Sequence, residues 1–516
     1  MSTIKTKPMG AILVAVSLFA GMALVNPSAR AASGTAAACA SLARLAFKDA
    51  TVDSAKAYAR DEFHVPARNG QAAADANAPS GVPGFCRVQI TLRPSSDSDI
   101  KMEVWLPMDR WNGKFVGVAN FGTGGVLQYQ NMVPELSSGY ALAANDTGHS
   151  GAQPDFAVGH PEKMIDYAYR ADHEMTVKAK QVIASFYGKG ARRSIWVGCS
   201  LGGVQALIEA KRYPADYDGI VAGAPPNPLP TFNAEQIWGP WLNLNHPEGA
   251  IPAAKFAMIH QAALQACGTP VGLAQGFIED PMHCQFGPAS LLCKGADGPD
   301  CLTAAQIERL RQLYEGPRDP RSGKVIFPGP NVGAEAAFAN PDPPPPPVDL
   351  YRYMVFEDPH WEWQKSMNFT TVVDEASRKL DPLLVVDPDL SAFVKRGGKL
   401  MLYLGLTEGH NGHELIAFYE QVLQSAGPAA ARSVRLFLSP GMNHCGGGAG
   451  CDTFERSAVV DRWLETGKAP DQILSSKLSG GKVVRTRPLC AYPAVARYTG
   501  AGSMDDAANF KCAEVK

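Results

Sequence analysis

Past residue 25 no apolar run approaches the roughly twenty residues that a membrane-spanning helix needs. Charge of one sign is also missing: 48 lysines and arginines stand against 50 aspartates and glutamates, a formal net charge of −2. No basic or arginine-rich stretch breaks that balance, so no nucleic-acid or other polyanionic partner is implied. Internal repeats are absent, which excludes a solenoid or a propeller. Low complexity is confined to the prolines of 343–347, which read as a stiff, extended surface segment. With 46% apolar and 19% charged residues, the chain has the composition of a large globular protein rather than a disordered or fibrous one.

Residues 1–31 are set apart from the fold. Lys5 and Lys7 precede an apolar stretch over 9–25, and Ala29-Arg30-Ala31 offers the small-residue pattern of a cleavage site. This is the layout of a signal peptide, and it predicts a secreted or periplasmic protein not held in a membrane. Eleven cysteines in an exported chain predict disulfides, and the odd count leaves at least one unpaired.

The run Ile195-Trp196-Val197-Gly198-Cys199-Ser200-Leu201-Gly202-Gly203 ends in Gly-x-Ser-x-Gly and passes into a helix-forming stretch. That is the pattern of a nucleophile elbow. The serine occupies a strained strand-to-helix corner, and the flanking glycines let the backbone fold back without a clash. The N–H of the next residue then lies at a helix N-terminus, able to donate to a developing oxyanion. In a chain with 50 glycines the five-residue pattern alone is weak, and a glycine-rich turn with a capping serine satisfies it too. Its setting favours the elbow: the spacing predicts a buried strand over 193–197, a helix over 204–212 stopped by Pro214, and a strand over 219–224. Strand, elbow, helix and strand in that order imply an α/β fold of the hydrolase type.

Upstream, a strand predicted over 114–118 runs into Asn120-Phe121-Gly122-Thr123-Gly124-Gly125, a loop with free N–H groups where such folds find their second oxyanion donor. An ordinary glycine-rich turn is the alternative. Further pattern predicts a strand over 140–144 and a helix over 174–187. From 225 to 389 the chain is rich in proline, tryptophan and cysteine and reads as an irregular insertion, a lid over the active site. Regular pattern resumes with 390–395, a strand over 399–404, a helix over 414–424 and a strand over 434–438. The expected division is a core in two parts, 32–225 and 390–516, around a lid domain at 226–389.

A serine nucleophile needs a base to take its proton and an acid to orient that base. In this fold type the chain order is serine, acid, histidine. Glu408 follows the strand predicted over 399–404, with Glu414 the nearest substitute, and His444 follows the strand over 434–438. Among eleven histidines, His149 and His173 precede the serine, and His410 and His413 lie too close to Glu408 to meet it from a separate loop. Cys199 immediately precedes Ser200 and Cys445 immediately follows His444. A bond between these two would hold serine and histidine side by side; two buried free thiols are the alternative.

These stretches carry a family resemblance. Gly198-Cys199-Ser200-Leu201-Gly202-Gly203, Tyr213-Pro214, Asp218-Gly219-Ile220-Val221-Ala222-Gly223-Ala224-Pro225 and Pro440-Gly441-Met442-Asn443-His444-Cys445 resemble the tannase and feruloyl esterase family, and the likeness covers nearly the whole mature chain. That family, which includes bacterial mono(hydroxyethyl) terephthalate hydrolases, implies an α/β-hydrolase core, a large lid and a Cys-Ser, acid, His-Cys arrangement. It implies Ser200 as nucleophile, His444 as base, and the N–H groups of Leu201 and Gly122 as oxyanion hole. It also implies the pairings Cys39 with Cys86, Cys199 with Cys445, Cys267 with Cys284, Cys293 with Cys301, and Cys490 with Cys512, leaving Cys451 over. The activity implied is that of a secreted serine carboxylesterase acting on small esters of aromatic acids, with Trp361, Trp363 and Phe369 of the lid available to an aromatic ring. A non-catalytic binding protein on a degenerate hydrolase fold, or the same triad used for acyl transfer or for a non-aromatic ester, are the alternatives.

The chain departs from the family pattern twice. Glu408 stands where the family usually has aspartate, one methylene shorter. The family's lid usually carries an aspartate-rich calcium loop after a cysteine, whereas Cys267 is followed by Gly268, Val271 and Gln275 at the expected ligand positions, with Glu279 and Asp280 nearby. Calcium wants several hard oxygen ligands, so no metal or other cofactor is expected.

Overall fold

The structure is a computed structural model that describes residues 1, 3, 36–64, 81–340 and 342–514. Apart from Met1 and Thr3, the expected signal peptide lies outside the described residues. Nine strands form one sheet: β1 Ala50–Tyr58, β2 Phe85–Leu92, β3 Ile100–Pro107, β4 Lys114–Val118, β5 Ala141–Asn145, β6 Arg193–Cys199, β7 Gly219–Gly223, β8 Lys399–Gly405 and β9 Val434–Ser439. Their order is β1-β2-β3-β5-β4-β6-β7-β8-β9. The strands from β1 to β5 along this order pair antiparallel, and those from β5 to β9 pair parallel.

Burial explains which strands the sequence announces. Every residue of β4, β5 and β7 is buried, as happens when helices cover both faces of a parallel sheet, and such strands read as continuous apolar runs. The edge strand β1 has no buried residue, and nothing in its composition marks it. The antiparallel strands β1 to β3 are therefore additions to the sequence-based reading. So are two hairpins after the main sheet, β10 Gln472–Ser479 with β11 Lys482–Cys490, and β12 Ala494–Tyr498 with β13 Phe510–Glu514.

Parallel pairing brings strand C-termini to one edge of the sheet, the edge at which open α/β sheets bind ligands. Val118 lies opposite Val197, Cys199 opposite Gly223, Gly223 opposite Tyr403, and Gly405 opposite Ser439. The loops that follow β4, β6, β8 and β9 consequently emerge side by side.

Between β7 and β8 the chain leaves the sheet and returns to the adjacent position. The sequence predicts an irregular segment there; the structure holds helices at Leu229–Asn245, Lys255–Cys267, Ala304–Glu315 and Thr371–Leu384. Pro240 and Pro382 sit inside two of these helices and disguise the helical period. In the last helix, Val372, Ala376, Leu380 and Leu384 are buried at a spacing of four, the stripe of an amphipathic helix. The prolines of 343–347 also differ from expectation. A short helix, Pro345–Asp349, begins among them, because proline is well tolerated in a first turn whose N–H groups have no helical acceptor.

The apolar residues of this segment fall in clusters separate from that of the sheet, the largest of which also takes in Met164, Tyr167 and Leu201 from outside the segment. Trp361, Trp363 and Phe369, expected to meet substrate, belong to that cluster and are 7%, 7% and 4% exposed. Trp361 stacks on Tyr351 with centroids 5.7 Å apart, and Phe369 meets Trp238 edge-on at 4.8 Å. An insertion of this size must bury apolar surface of its own to hold a shape, and large rings supply the most area per residue. The expectation of substrate contact is thus corrected: these rings hold the insertion together. Trp363→Ala should lower stability by about 3–5 kcal/mol, the usual cost of emptying a large buried aromatic site, read as a fall in denaturant midpoint at constant m-value. A raised KM at wild-type stability would instead return Trp363 to the substrate.

Candidate active site

Ser200 has φ +62° and ψ −124°, backbone angles that non-glycine residues adopt only under strain. Its N–H donates to the Gly223 carbonyl at 2.9 Å. Close approach around it demands glycine: a Cβ on Gly198 would lie 2.2 Å from the Gly202 oxygen, and one on Gly202 would lie 2.6 Å from the Ala119 Cβ. The helix Leu201–Arg212 starts directly after the serine, so the Leu201 N–H has no acceptor within the helix.

Gly122, in the loop after β4, has φ +58°, and its N–H makes no hydrogen bond among the described residues. A second stretch clamps this loop from behind. The Gly125 N–H donates to the Asp146 carbonyl at 3.0 Å, the Gly151 N–H donates to the Gly125 carbonyl at 3.1 Å, and the Thr123 hydroxyl donates to the Ala152 carbonyl. His149 belongs to the clamp. Burial pushes its imidazole down to about 4, and the ring stacks on Phe156 at 3.9 Å. It is a neutral support, a role that chain order alone does not reveal.

His444 and Glu408 are hydrogen-bonded through Nδ1 and Oε2. A carboxylate can only accept, so Nδ1 carries the proton and Nε2 is left free. The Glu408 side chain is 3% exposed and that of His444 43%. Burial lowers the imidazole pKa, but the hydrogen bond and charge of Glu408 outweigh it and hold His444 above the ordinary histidine value. Glu414, the nearest substitute acid, instead accepts from His410 at 2.7 Å. The Thr407 hydroxyl donates to the Met442 carbonyl at 2.8 Å, which ties the acid's loop to the histidine's.

Cys199 and Cys445 form a disulfide with Cα atoms 6.0 Å apart, across 246 residues of chain. In the chain-entropy account, closing so long a loop contributes about 4–5 kcal/mol. The structure also joins Cys39 to Cys86, Cys267 to Cys284, Cys293 to Cys301 and Cys490 to Cys512, and Cys451 is a buried free thiol. No hydrogen bond joins Ser200 Oγ to His444 among the described residues. Both side chains, with Gly122, Leu201 and Glu408, line one cavity of about 500 Å³. Phe121, Phe232, Leu313 and Phe338 give it apolar walls, and Pro344, Pro346 and Pro347 close one side. The proline run is therefore part of the site and not merely surface, while Trp361, Trp363 and Phe369 are absent from the wall.

The sequence model of the family described as tannase and feruloyl esterase matches residues 86–345 and 351–513. The chain belongs to the tannase and feruloyl esterase family. Within it, the chain is 33% identical to an uncharacterized esterase of Xanthomonas campestris pv. campestris over 93% of this chain and 92% of the relative. It is 32% identical to the mono(2-hydroxyethyl) terephthalate hydrolase of Piscinibacter sakaiensis over 91% of each. The crystal structure of feruloyl esterase B from Aspergillus oryzae superposes with a TM-score of 0.83 at 28% identity, covering 93% of this chain and 100% of that one. This member of the tannase and feruloyl esterase family is accordingly a carboxylic ester hydrolase built on an α/β-hydrolase fold.

The calcium loop implied by the family finds no ligand set here. Gln275, at one expected ligand position, donates to the Met504 carbonyl and to Asp505, each at 3.2 Å. Its oxygen accepts from Arg487 at 2.7 Å, so a guanidinium already occupies this neighbourhood. Glu279 accepts from the Thr269 hydroxyl, and burial raises its carboxyl against the pull of Arg487 and Arg497. Asp280 is paired with Arg497 at 3.1 Å and with His283 at 2.9 Å. One other cluster of possible ligands exists among the described residues, Cys293, Asp297 and Cys301, but its cysteines are bonded to each other and Asp297 pairs with Lys255. Melting temperature and esterase rate should therefore be indifferent to EDTA and to added calcium. Arg487→Ala, which removes the cation and its contact at 3.6 Å with the Phe510 ring, should cost about 1–3 kcal/mol. A drop of several degrees with chelator, reversed by calcium, would overturn this account.

Proposed function

We propose that this chain is an exported serine carboxylesterase that hydrolyses esters of aromatic acids through an acyl-enzyme. One observation carries the reading: an elbow serine, two unengaged N–H groups and a carboxylate-bound imidazole face a single, mostly apolar cavity. The relatives named for feruloyl and terephthalate esters support the aromatic acyl group. Disulfides, and the lack among the described residues of any helix long and apolar enough to cross a membrane, support export.

In this mechanism His444 Nε2 takes the proton of Ser200 as Oγ attacks the ester carbonyl. The developing oxyanion is held by the N–H groups of Leu201 and Gly122, each donor of this kind being worth about 3–4 kcal/mol. The imidazolium, stabilised by Glu408, then protonates the leaving alcohol. Water enters, gives a proton to His444 and attacks the acyl carbon, and collapse of the second tetrahedral intermediate frees the acid and Ser200. Glu408 does this work in place of an aspartate because its longer arm reaches Nδ1 from a loop anchored by Thr407.

Ser200→Ala and His444→Ala are each expected to cut turnover by about 10⁴-fold or more with melting temperature little changed, because the triad acts as a unit. Near-wild-type turnover in either variant would remove the mechanism. The rate requires neutral imidazole, so kcat/KM should rise with pH through a midpoint above the usual histidine value of about 6.5, in keeping with the raised His444. Glu408→Gln removes the charge that raises it and should move that midpoint down while lowering the plateau. An unmoved midpoint would detach Glu408 from the base. A panel of gallate, hydroxycinnamate and terephthalate monoesters tests the acyl class directly.

A further inference from the structure

One carboxyl group in the wall of the Ser200 cavity takes no part in cleaving the ester. Glu235 lies on the helix Leu229–Asn245, on the face it shares with Phe232, Gln236 and Gly239 and turns to the cavity. Positions three and four apart share a helical face, so this placement follows from the helix itself. The residue is 7% exposed, and among the described residues its carboxyl has neither a hydrogen-bond nor an ion-pair partner. Burial, with nothing to offset it, holds the group well above the usual carboxylate range, and a protonated carboxyl both donates and accepts. A buried polar group without a partner costs about 1–3 kcal/mol, and such a group at a cavity wall is explained when a ligand supplies the missing partner.

The rest of the wall decides which ligand. Among the described residues no lysine or arginine lines the cavity, and Asp342 and Glu408 bring its carboxyls to three. An acyl ring carrying a carboxylate would give up its hydration among three carboxyls with no cation beside it, and the single O–H of Glu235 is a poor substitute for that hydration. A ring carrying a hydroxyl brings a hydrogen-bonding group to Glu235 and lays its faces against Phe232, Leu313 and Phe338.

We propose that Glu235 sets the acyl specificity of this site: it hydrogen-bonds a hydroxyl on the aromatic ring of the acyl group, and the cation-free wall turns away a ring that carries a carboxylate. The inference rests on the aromatic-ester reading and narrows it to phenolic acids, excluding terephthaloyl monoesters although one relative is named for them.

The test compares kcat/KM for methyl 4-hydroxycinnamate, methyl cinnamate and mono(2-hydroxyethyl) terephthalate in the wild-type protein, Glu235→Gln and Glu235→Leu. Ratios between esters do not depend on the folded fraction, so a poorly folding variant still reports. The wild type should prefer the hydroxylated cinnamate over the plain one by on the order of tenfold or more, since a site built to bind a hydroxyl discriminates against the analogue that lacks it. Terephthalate monoester should be the poorest of the three. Glu235→Gln keeps a hydrogen-bonding group and should keep most of the preference, whereas Glu235→Leu should bring the two cinnamates to near parity. An unchanged ratio in Glu235→Leu, or a wild type that turns over the terephthalate monoester as well as the hydroxycinnamate, overturns the proposal and leaves the aromatic reading standing. If the wild type cleaves p-nitrophenyl acetate and none of the three aromatic esters, the aromatic reading fails and this inference fails with it.

Discussion

Cys199 and Cys445 are bonded across the ends of two strands that are not neighbours in the sheet, so the residue before the serine and the residue after the histidine share one covalent link. Both sides of the link are strained. Ser200 has φ +62° and Cys445 φ +63°, conformations that persist only where the surroundings leave no alternative. Gly198 and Gly202 permit the elbow by having no Cβ, the Gly223 carbonyl holds the Ser200 N–H, and the disulfide keeps the histidine loop from drifting. The Thr407 contact then brings Glu408 into the same frame. A catalytic constellation misplaced by about 1 Å can lose a hundredfold in rate, which makes covalent and steric over-determination at this corner intelligible.

Within the region that surrounds Ser200, burial sorts titratable groups into different roles. His444 is raised because the hydrogen bond and charge of Glu408 outweigh its desolvation; His149, with no such partner, is pushed down and stays neutral behind the Gly122 loop. Glu408 is hydrogen-bonded to His444, while Glu235 is buried with no partner among the described residues. Two histidines and Glu235 thus carry distinct protonation tendencies, set by neighbours and not by residue type.

The segment that follows Cys267 shows how a side chain can hold a loop. Where the family places acidic side chains around an ion, this chain has Gln275 and the guanidinium of Arg487, which spans the Gln275 amide and the Met504 carbonyl and lies over the Phe510 ring. A fixed cation on a side chain from β11 joins the insertion to the C-terminal hairpins, with the Cys267–Cys284 bridge closing the same loop.

The amino-acid sequence by itself determined the elbow, its flanking parallel strands and the chain order that selects Glu408 and His444. Strands buried on both faces must be apolar throughout, and a serine corner must be flanked by glycine, so each leaves a local mark. The half-exposed β1 and the helices containing Pro240 and Pro382 leave no such mark, and the edge of the sheet and the helical character of the insertion became visible only in three dimensions. Tertiary structure alone decided which aromatic rings face the cavity. Trp361, Trp363 and Phe369 are as apolar as Phe121, Phe232 and Phe338, and only packing separates a ring that holds an insertion together from one that lines a site. Glu235 is the extreme case. A glutamate in a helix reads as a surface residue, and its burial depends on segments more than a hundred positions away, around Phe338 and Leu350, folding across the same cavity.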